Sequence, residues 1–327
     1  MLQNDSGLPA EANSLRIWQP YSPSGAFGFA WPLPLVFGIV AAWLIGGVYA
    51  LLVVFSPCIG VFNVIVAVIA GGLVGLAVGS GVRIAKVRSP VFAALLGGVA
   101  GLALVGFAWL GFVSTLLARS GQISAPAVWF EAIRYPAETW SFITGPLLEN
   151  GWFNVKGVVP TGIVLIVAWI VEAGCLLVGC IVIPWQAASK PFSERHECWH
   201  QSVVHSGGFS LPNRQPRSEQ PMQSQDLERL ELGGTPQAHL ELTIHYLPGK
   251  REDLLVSVHS VMQEPQDDAA NRKAKKAKFK RVQVLAPHYV SESTIARFDA
   301  LVREAAASNA GVVDFNALTS QSSIPPA

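Results

Sequence analysis

The sequence predicts an α-helical membrane bundle of four transmembrane helices, followed by a small cytoplasmic α+β domain. Three observations predict it. Four stretches are long and almost free of charge: Trp31–Phe55, Val61–Val82 and Val91–Ala118 carry none, and Pro160–Ile183 carries Glu172 alone. The charge is unevenly divided, with 7 Lys/Arg and 6 Asp/Glu in residues 1–185 and 16 of each in residues 186–327. The second part alternates apolar and polar residues as strands do. The whole chain, at 51% hydrophobic and 14% charged with mean hydropathy +0.40, averages two solvents against the roughly 25% charge of an ordinary soluble domain. A disordered chain, a nucleic-acid-binding tail and a disulfide scaffold are excluded.

About 20 apolar residues cross the hydrocarbon core as a helix, and unpaired backbone groups forbid lone strands there. Spans are expected at about 31–55, 61–82, 91–118 and 160–183, within a membrane domain of residues 26–185. Residues 1–25 are polar, with Asp5, Glu11 and Arg16, and the apolar run after them is too long for the core of a signal peptide. The link after span two, Arg83-Ile-Ala-Lys86-Val-Arg88, carries three positive charges, and Ser56–Gly60 carries none. The positive-inside rule then puts both termini in the cytoplasm. The loop 119–157 faces out; its Trp129, Phe130, Tyr135, Trp140, Phe142, Trp152 and Phe153 suit the headgroup level. An outward-facing aromatic ligand site is the alternative. Pro136 suits the first turn of a helix Ala137–Leu148, with Gly145-Pro146 bending or ending it.

Span two presents Gly71, Gly75 and Gly79 on one face, and span three presents Gly97 and Gly101. Missing side chains let helix backbones approach. The stripes are expected to pack spans two and three together, or to join copies in a homo-oligomer. Glu172 sits near the middle of span four and should face the bundle interior or a water-filled cavity. It is hydrogen-bonded to Asn63, Ser114 or Thr115, or serves as a proton or cation site, or snorkels to the inner surface.

Residues 186–238 read as a juxtamembrane segment and flexible linker, rich in Ser, Gly, Pro and Gln from 206 onward. A domain follows at 239–315. His239–Leu247 alternates and reads as a half-buried strand, with His239, Glu241, Thr243 and His245 outward. Pro248-Gly249 turns into a second strand, Asp253–Met262, and a third lies at Phe279–Leu285. Ser291 or Ser293 caps a helix to about Ala307, with Ile295, Phe298, Leu301, Val302 and Ala305 on one stripe. Residues 316–327 read as a disordered tail.

Between strands two and three lie Arg272, Lys273, Lys275, Lys276, Lys278, Lys280 and Arg281, seven positive charges in ten residues. They are candidates for contact with anionic lipid or a solvated loop; nucleic acid is not expected, since only Phe279 offers a stacking surface. His196, Cys198 and His200 are weak metal candidates. Cys58, Cys175, Cys180 and Cys198 form no C-x2-C pair, and no P-loop, G-x-S-x-G or H-E-x-x-H is present. Neither metal nor cofactor is expected.

The glycine-rich second span ending near Lys86-Val-Arg88, the outer aromatic loop and Glu172 in the last span together resemble uncharacterised bacterial four-span membrane proteins with a cytoplasmic C-terminal domain. In such proteins that domain can resemble a zinc ribbon with two C-x2-C knuckles. The corresponding stretches here, Ser193-Glu-Arg-His196 and Leu247-Pro-Gly-Lys250, retain His196 alone as a ligand type. The resemblance implies a lost metal site and a domain held by its apolar core, and implies no activity. The expected function is a non-enzymatic anchor whose cytoplasmic domain binds a protein partner or the inner leaflet. A small permease or transporter subunit using Glu172 is the alternative, and an enzyme acting through His196–His205 the third.

Overall fold

The computed structural model describes residues 18–55, 61–119, 134–151, 159–211, 221–232, 238–248, 250–263 and 279–308. The chain forms two units, Pro23–Lys190 and Met1–Ser22 with Pro191–Ala327.

The first unit holds four helices long and apolar enough to cross a membrane: α1 (Pro32–Phe55), α2 (Val61–Ile84), α3 (Pro90–Arg119) and, after the loop, α6 (Gly162–Ala188). Proline opens α1 and α3, where its missing N–H costs nothing, and Ser89 caps α3 by accepting from the Phe92 amide at 3.3 Å. Large apolar side chains on the outer faces, such as Leu44, Leu73, Leu102 and Ile170, are 48–65% exposed. A helix apolar on every side has lipid as its solvent. The protein is therefore a multi-pass membrane protein.

The glycines decide the packing, and they correct the pairing expected from the sequence. A Cβ at Gly71 would meet the Leu176 carbonyl oxygen, one at Gly75 the Gly179 carbonyl oxygen, and one at Gly79 the Ile183 side chain at 3.4 Å. Gly97 and Gly101 lie against Cys180, and Gly101 also meets the Leu177 side chain at 2.9 Å. Both stripes thus close on α6 from different sides, and spans two and three do not pair through them. A homo-oligomer through these glycines would have to displace α6. Gly97 has a specific reason to be there. Pro184 lies inside α6, so the Cys180 carbonyl four residues earlier loses its amide partner. That carbonyl points at the gap where Gly97 has no side chain.

The direction of contacts sets the topology. Gly75 meets Gly179 and Gly79 meets Ile183, so α2 and α6 run parallel; Gly38 meets Ala100 and Gly46 meets Ala108, so α1 and α3 do too. The other pairs are antiparallel, as in Gly81 against Pro34.

In the loop, α4 (Pro136–Phe142), a π-turn (Ile143–Leu147) and α5 (Leu148–Asn150) form one rod. Gly145-Pro146 does not end it: helical backbone continues to Asn150. Pro146 sits inside the π-turn, whose wider ring accommodates a residue that cannot donate to the ordinary ladder. Gly151, at φ +66, ends the rod. Ile143 and Leu147 are buried in the bundle's apolar cluster, while Tyr135 and Trp140 are exposed. Trp129, Phe130, Trp152 and Phe153 lie outside the described residues.

The second unit contains a two-stranded hairpin, β1 (Phe192–Ser193) with β2 (Cys198–Trp199), and an antiparallel sheet. The sheet order is β4-β3-β5-β6-β7, from β3 (Gln201–Ser210), β4 (Glu231–Leu232), β5 (Ala238–Leu247), β6 (Lys250–Gln263) and β7 (Phe279–Tyr289). Helix α7 (Glu292–Ser308) follows. The three expected strands and the helix are present, and Ser291 is the cap, accepting from the Thr294 amide at 3.2 Å. Leu240, Leu242 and Ile244 face a core shared with Val256, Val258, Leu285, Ile295 and Phe298.

Three expectations need correction. The segment 206–238 is not a flexible linker in its described parts. It completes β3, forms a 3-10 turn (Ser224–Arg229) and β4, and buries Phe209, Leu211, Met222, Leu227 and Leu230. The polar N-terminus joins this unit: the Trp18 amide donates to the Tyr289 carbonyl and the Tyr21 amide to the Pro287 carbonyl, both at 2.8 Å. Finally, the face of β5 expected outward is covered, with Thr243 and His245 buried. The tail 316–327 lies outside the described residues.

Candidate functional site

Helix geometry assembles the site inside the membrane unit. On α6, Trp169, Glu172 and Leu176 fall at spacings of three and four and share a face. On α3, Val105, Ala108, Trp109 and Phe112 do the same, and α1 contributes Tyr49, Ala50 and Val53. With Ala173 these residues line a cleft of about 40 Å3, traced by the centre of a water-sized sphere. One water needs roughly 10–15 Å3 by that measure, so the cleft admits about three waters or a small organic group.

The Tyr49 hydroxyl donates to Oε1 of Glu172. Tyr49 itself is buried at 4% exposure. The Trp109 ring meets Trp169 edge to face, at 4.9 Å and 87°, and Phe112 at 5.7 Å and 84°. Beyond Glu172 and Tyr49, the described residues of the lining offer two indole N–H groups as polar side-chain atoms and no basic residue. Glu172 is the eleventh residue of α6 and Tyr49 the eighteenth of α1. About 15 Å of helix therefore separates Glu172 from the start of α6.

Glu172 was singled out from the sequence, but its partner was not. Ser114 and Thr115 turn back to the Leu110 and Gly111 carbonyls of their own helix, at 2.6 and 2.7 Å. The parallel contacts of α2 with α6 join residues 104 apart (75 with 179, 79 with 183), which sets Asn63 level with residue 167. That is five residues, or about 7 Å, from the level of Glu172. Tyr49 carried one usable signal: a tyrosine whose apolar neighbours continue for six further residues of α1.

The other candidates are distributed differently. His196, Cys198 and His200 lie on or beside the β1–β2 hairpin. The His196 amide donates to Ser193 Oγ at 3.3 Å, and His200 Nε2 lies 2.8 Å from the Asp253 carbonyl oxygen. Ser193 Oγ donates to Asp253 Oδ2 at 2.8 Å, tying the hairpin to β6. Among the described residues no group of three or more His, Cys, Asp or Glu is placed to hold a metal ion. Arg281 Nε pairs with Glu241 Oε2 at 3.1 Å, and Lys280 is exposed beside it. Arg272, Lys273, Lys275, Lys276 and Lys278 lie outside the described residues.

A histidine group was not foreseen. His245 contacts Ser202 Oγ through Nδ1 at 2.7 Å and Ser257 Oγ through Nε2 at 3.1 Å. Burial, then the nearby His200 and His259, push it down to about 4. Burial also lowers His200 and His259. Burial thus favours the neutral form of all three rings.

No family model, curated protein or solved structure matches the chain.

Proposed function

We propose that the protein is a small permease or transporter subunit that works through Glu172. One observation carries the reading: the Glu172 carboxyl lines a cleft between three spans, where Tyr49 is its side-chain hydrogen-bond partner among the described residues. A carboxylate at such depth is costly unless a proton or a cation accompanies it. A group that must be matched in this way, and that a small molecule can reach, has the minimum equipment for exchanging one against the other. Glu172→Gln keeps the shape and removes the exchange. In liposomes holding the full chain and a lumenal pH dye, an outward proton gradient should drive uptake of a monovalent cation from a panel of amines and alkali ions. Glu172→Gln should lose that uptake at least tenfold. A wild type that moves no member of the panel, or a variant as active as wild type, overturns the reading.

The orientation proposed with it places Arg83, Lys86 and Arg88 on the cytoplasmic side of a bacterial inner membrane. Lys190 supports a common basic end of the bundle, since burial and then Arg83 hold its ammonium below its ordinary range.

A second reading, a membrane-anchored interaction protein, is favoured by a different observation. Residues beyond the bundle build a sheet and helix with an apolar core of their own, which permeation alone does not need. In this reading the basic run meets anionic headgroups. Each charge near such a surface contributes about 1 kcal/mol. Full-length protein in phosphatidylcholine nanodiscs should capture vesicles containing phosphatidylserine. Glutamine at Lys273, Lys275, Lys276 and Lys278 should weaken capture at least tenfold; unchanged capture rejects the lipid contact.

A further inference from the structure

The lining of the Glu172 cleft selects among cations. We infer that it binds a small organic cation, a quaternary ammonium or protonated amine with an apolar body, whose charge sits against Glu172 and whose body lies along Trp109, Trp169 and Phe112. The inference rests on the transport reading for its purpose but not for its test.

Each class of occupant meets a different wall. An anion finds no basic residue among the described residues of the lining and one carboxyl group to repel it. A hydrated metal ion needs several oxygen ligands; the side chains of this lining supply the Glu172 carboxylate and the Tyr49 hydroxyl. A sugar or other polyol needs many hydrogen-bonding partners, and Ala50, Val53, Val105, Ala108, Ala173 and Leu176 provide none from their side chains. A neutral hydrocarbon fits the apolar wall but makes no use of the carboxyl group. An organic cation uses every part. Aromatic faces attract cations that are poorly hydrated, most strongly where water is excluded, and two indoles and a phenyl ring, packed edge to face, line the cleft.

The proton balance follows. With the cleft empty of ligand, Glu172 holds a proton and Tyr49 donates to its Oε1. When the cation enters, the carboxyl proton leaves to solvent and the carboxylate takes the cation as its counter-charge. One proton is released for each cation bound, and no covalent bond other than that O–H breaks.

Choline and its uncharged carbon isostere 3,3-dimethylbutan-1-ol make the decisive pair of probes. They share shape and hydroxyl group and differ in charge. Full-length protein in detergent, weakly buffered, should show saturable quenching of tryptophan fluorescence by choline, with release of up to one proton per chain. The isostere should bind at least tenfold more weakly and release none. Glu172→Gln should abolish the proton release, and Trp109→Phe should weaken choline binding by about 5- to 30-fold. Tyr49→Phe, which removes the competing donor, should leave binding intact and shift its pH dependence. Equal quenching by both probes means that the cleft takes apolar molecules, detergent or lipid, and overturns the inference. So does the absence of saturable quenching in the unmutated chain, a result independent of whether any variant folds. Choline binding without uptake in liposomes would end the transport reading and leave this site standing. Uptake of another ion without choline binding would do the reverse.

Discussion

Leucine in place of Gly75 is expected to prevent the bundle from closing. The atom in the way is the Gly179 carbonyl oxygen, which is backbone and cannot rotate aside. Gly97→Ala should act alike, since its new methyl would overlap the Cys180 carbonyl oxygen. Overpacking typically costs about 1–3 kcal/mol and more where the backbone must move. Here α6 would be levered off α2 in the first case and off α3 in the second. Gly72→Ala and Gly106→Ala are the controls, because a Cβ at either meets nothing within 4 Å. Thermal unfolding in detergent, followed by loss of the monodisperse gel-filtration peak, should show Gly75→Leu and Gly97→Ala destabilised and both controls near wild type. If all four behaved alike, the contacts with α6 would not hold the bundle together.

Acidification should weaken the unit that contains the sheet. His245 is held near 4 in the folded chain against 6.5 as a free side chain, so between those values the unfolded state binds the extra proton. The stability from keeping this ring neutral is fully present above about pH 6.5 and is lost as the pH falls towards 4. The gap corresponds to about 3 kcal/mol. His200 and His259 are lowered as well, and their contributions have the same sign. Denaturant titrations between pH 4 and 7 should show a falling midpoint on the acid side. His245→Asn should be less stable at pH 7, through its lost contacts with Ser202 and Ser257, but should flatten the slope. An equally steep slope in the variant would assign the effect to other groups.

The sequence was most legible where structure depends on local composition. Near-absence of charge over more than twenty residues, with Glu172 the one exception, is a property of each span alone, so all four helices could be read with ends within a few residues. Ser291 before an amphipathic run marks the start of α7 for the same reason. Partners were less legible. That Gly71, Gly75, Gly97 and Gly101 each face another backbone follows from their spacing; that all of them face α6 depends on the three-dimensional order of the spans. Glu172 could be recognised by its cost, but Tyr49 lies 123 residues away in the chain and gives little local sign of the pairing. In residues 206–238, glycine and serine outnumber the few leucines that matter. Leu227 and Leu230 are fully buried, yet the five buried apolar residues of this segment are scattered and look the same in a loop as in a core. The alternation in β5 correctly assigned one face to the core and could not reveal that its opposite face is covered.

The pairing of Trp18 and Tyr21 with the end of β7 has a consequence for biosynthesis. Residues 18–21 leave the ribosome 268 residues ahead of Tyr289 (289 minus 21). At about 5–20 residues per second, a delay of roughly 13–54 s separates the two strands of this ladder. All four long helices are synthesised in that interval. The helical bundle is, in the order of synthesis, an insertion within a discontinuous second unit. Its last strand pair can close only after the whole of the bundle's sequence has been synthesised, so a completed sheet marks a chain whose four spans have all left the ribosome.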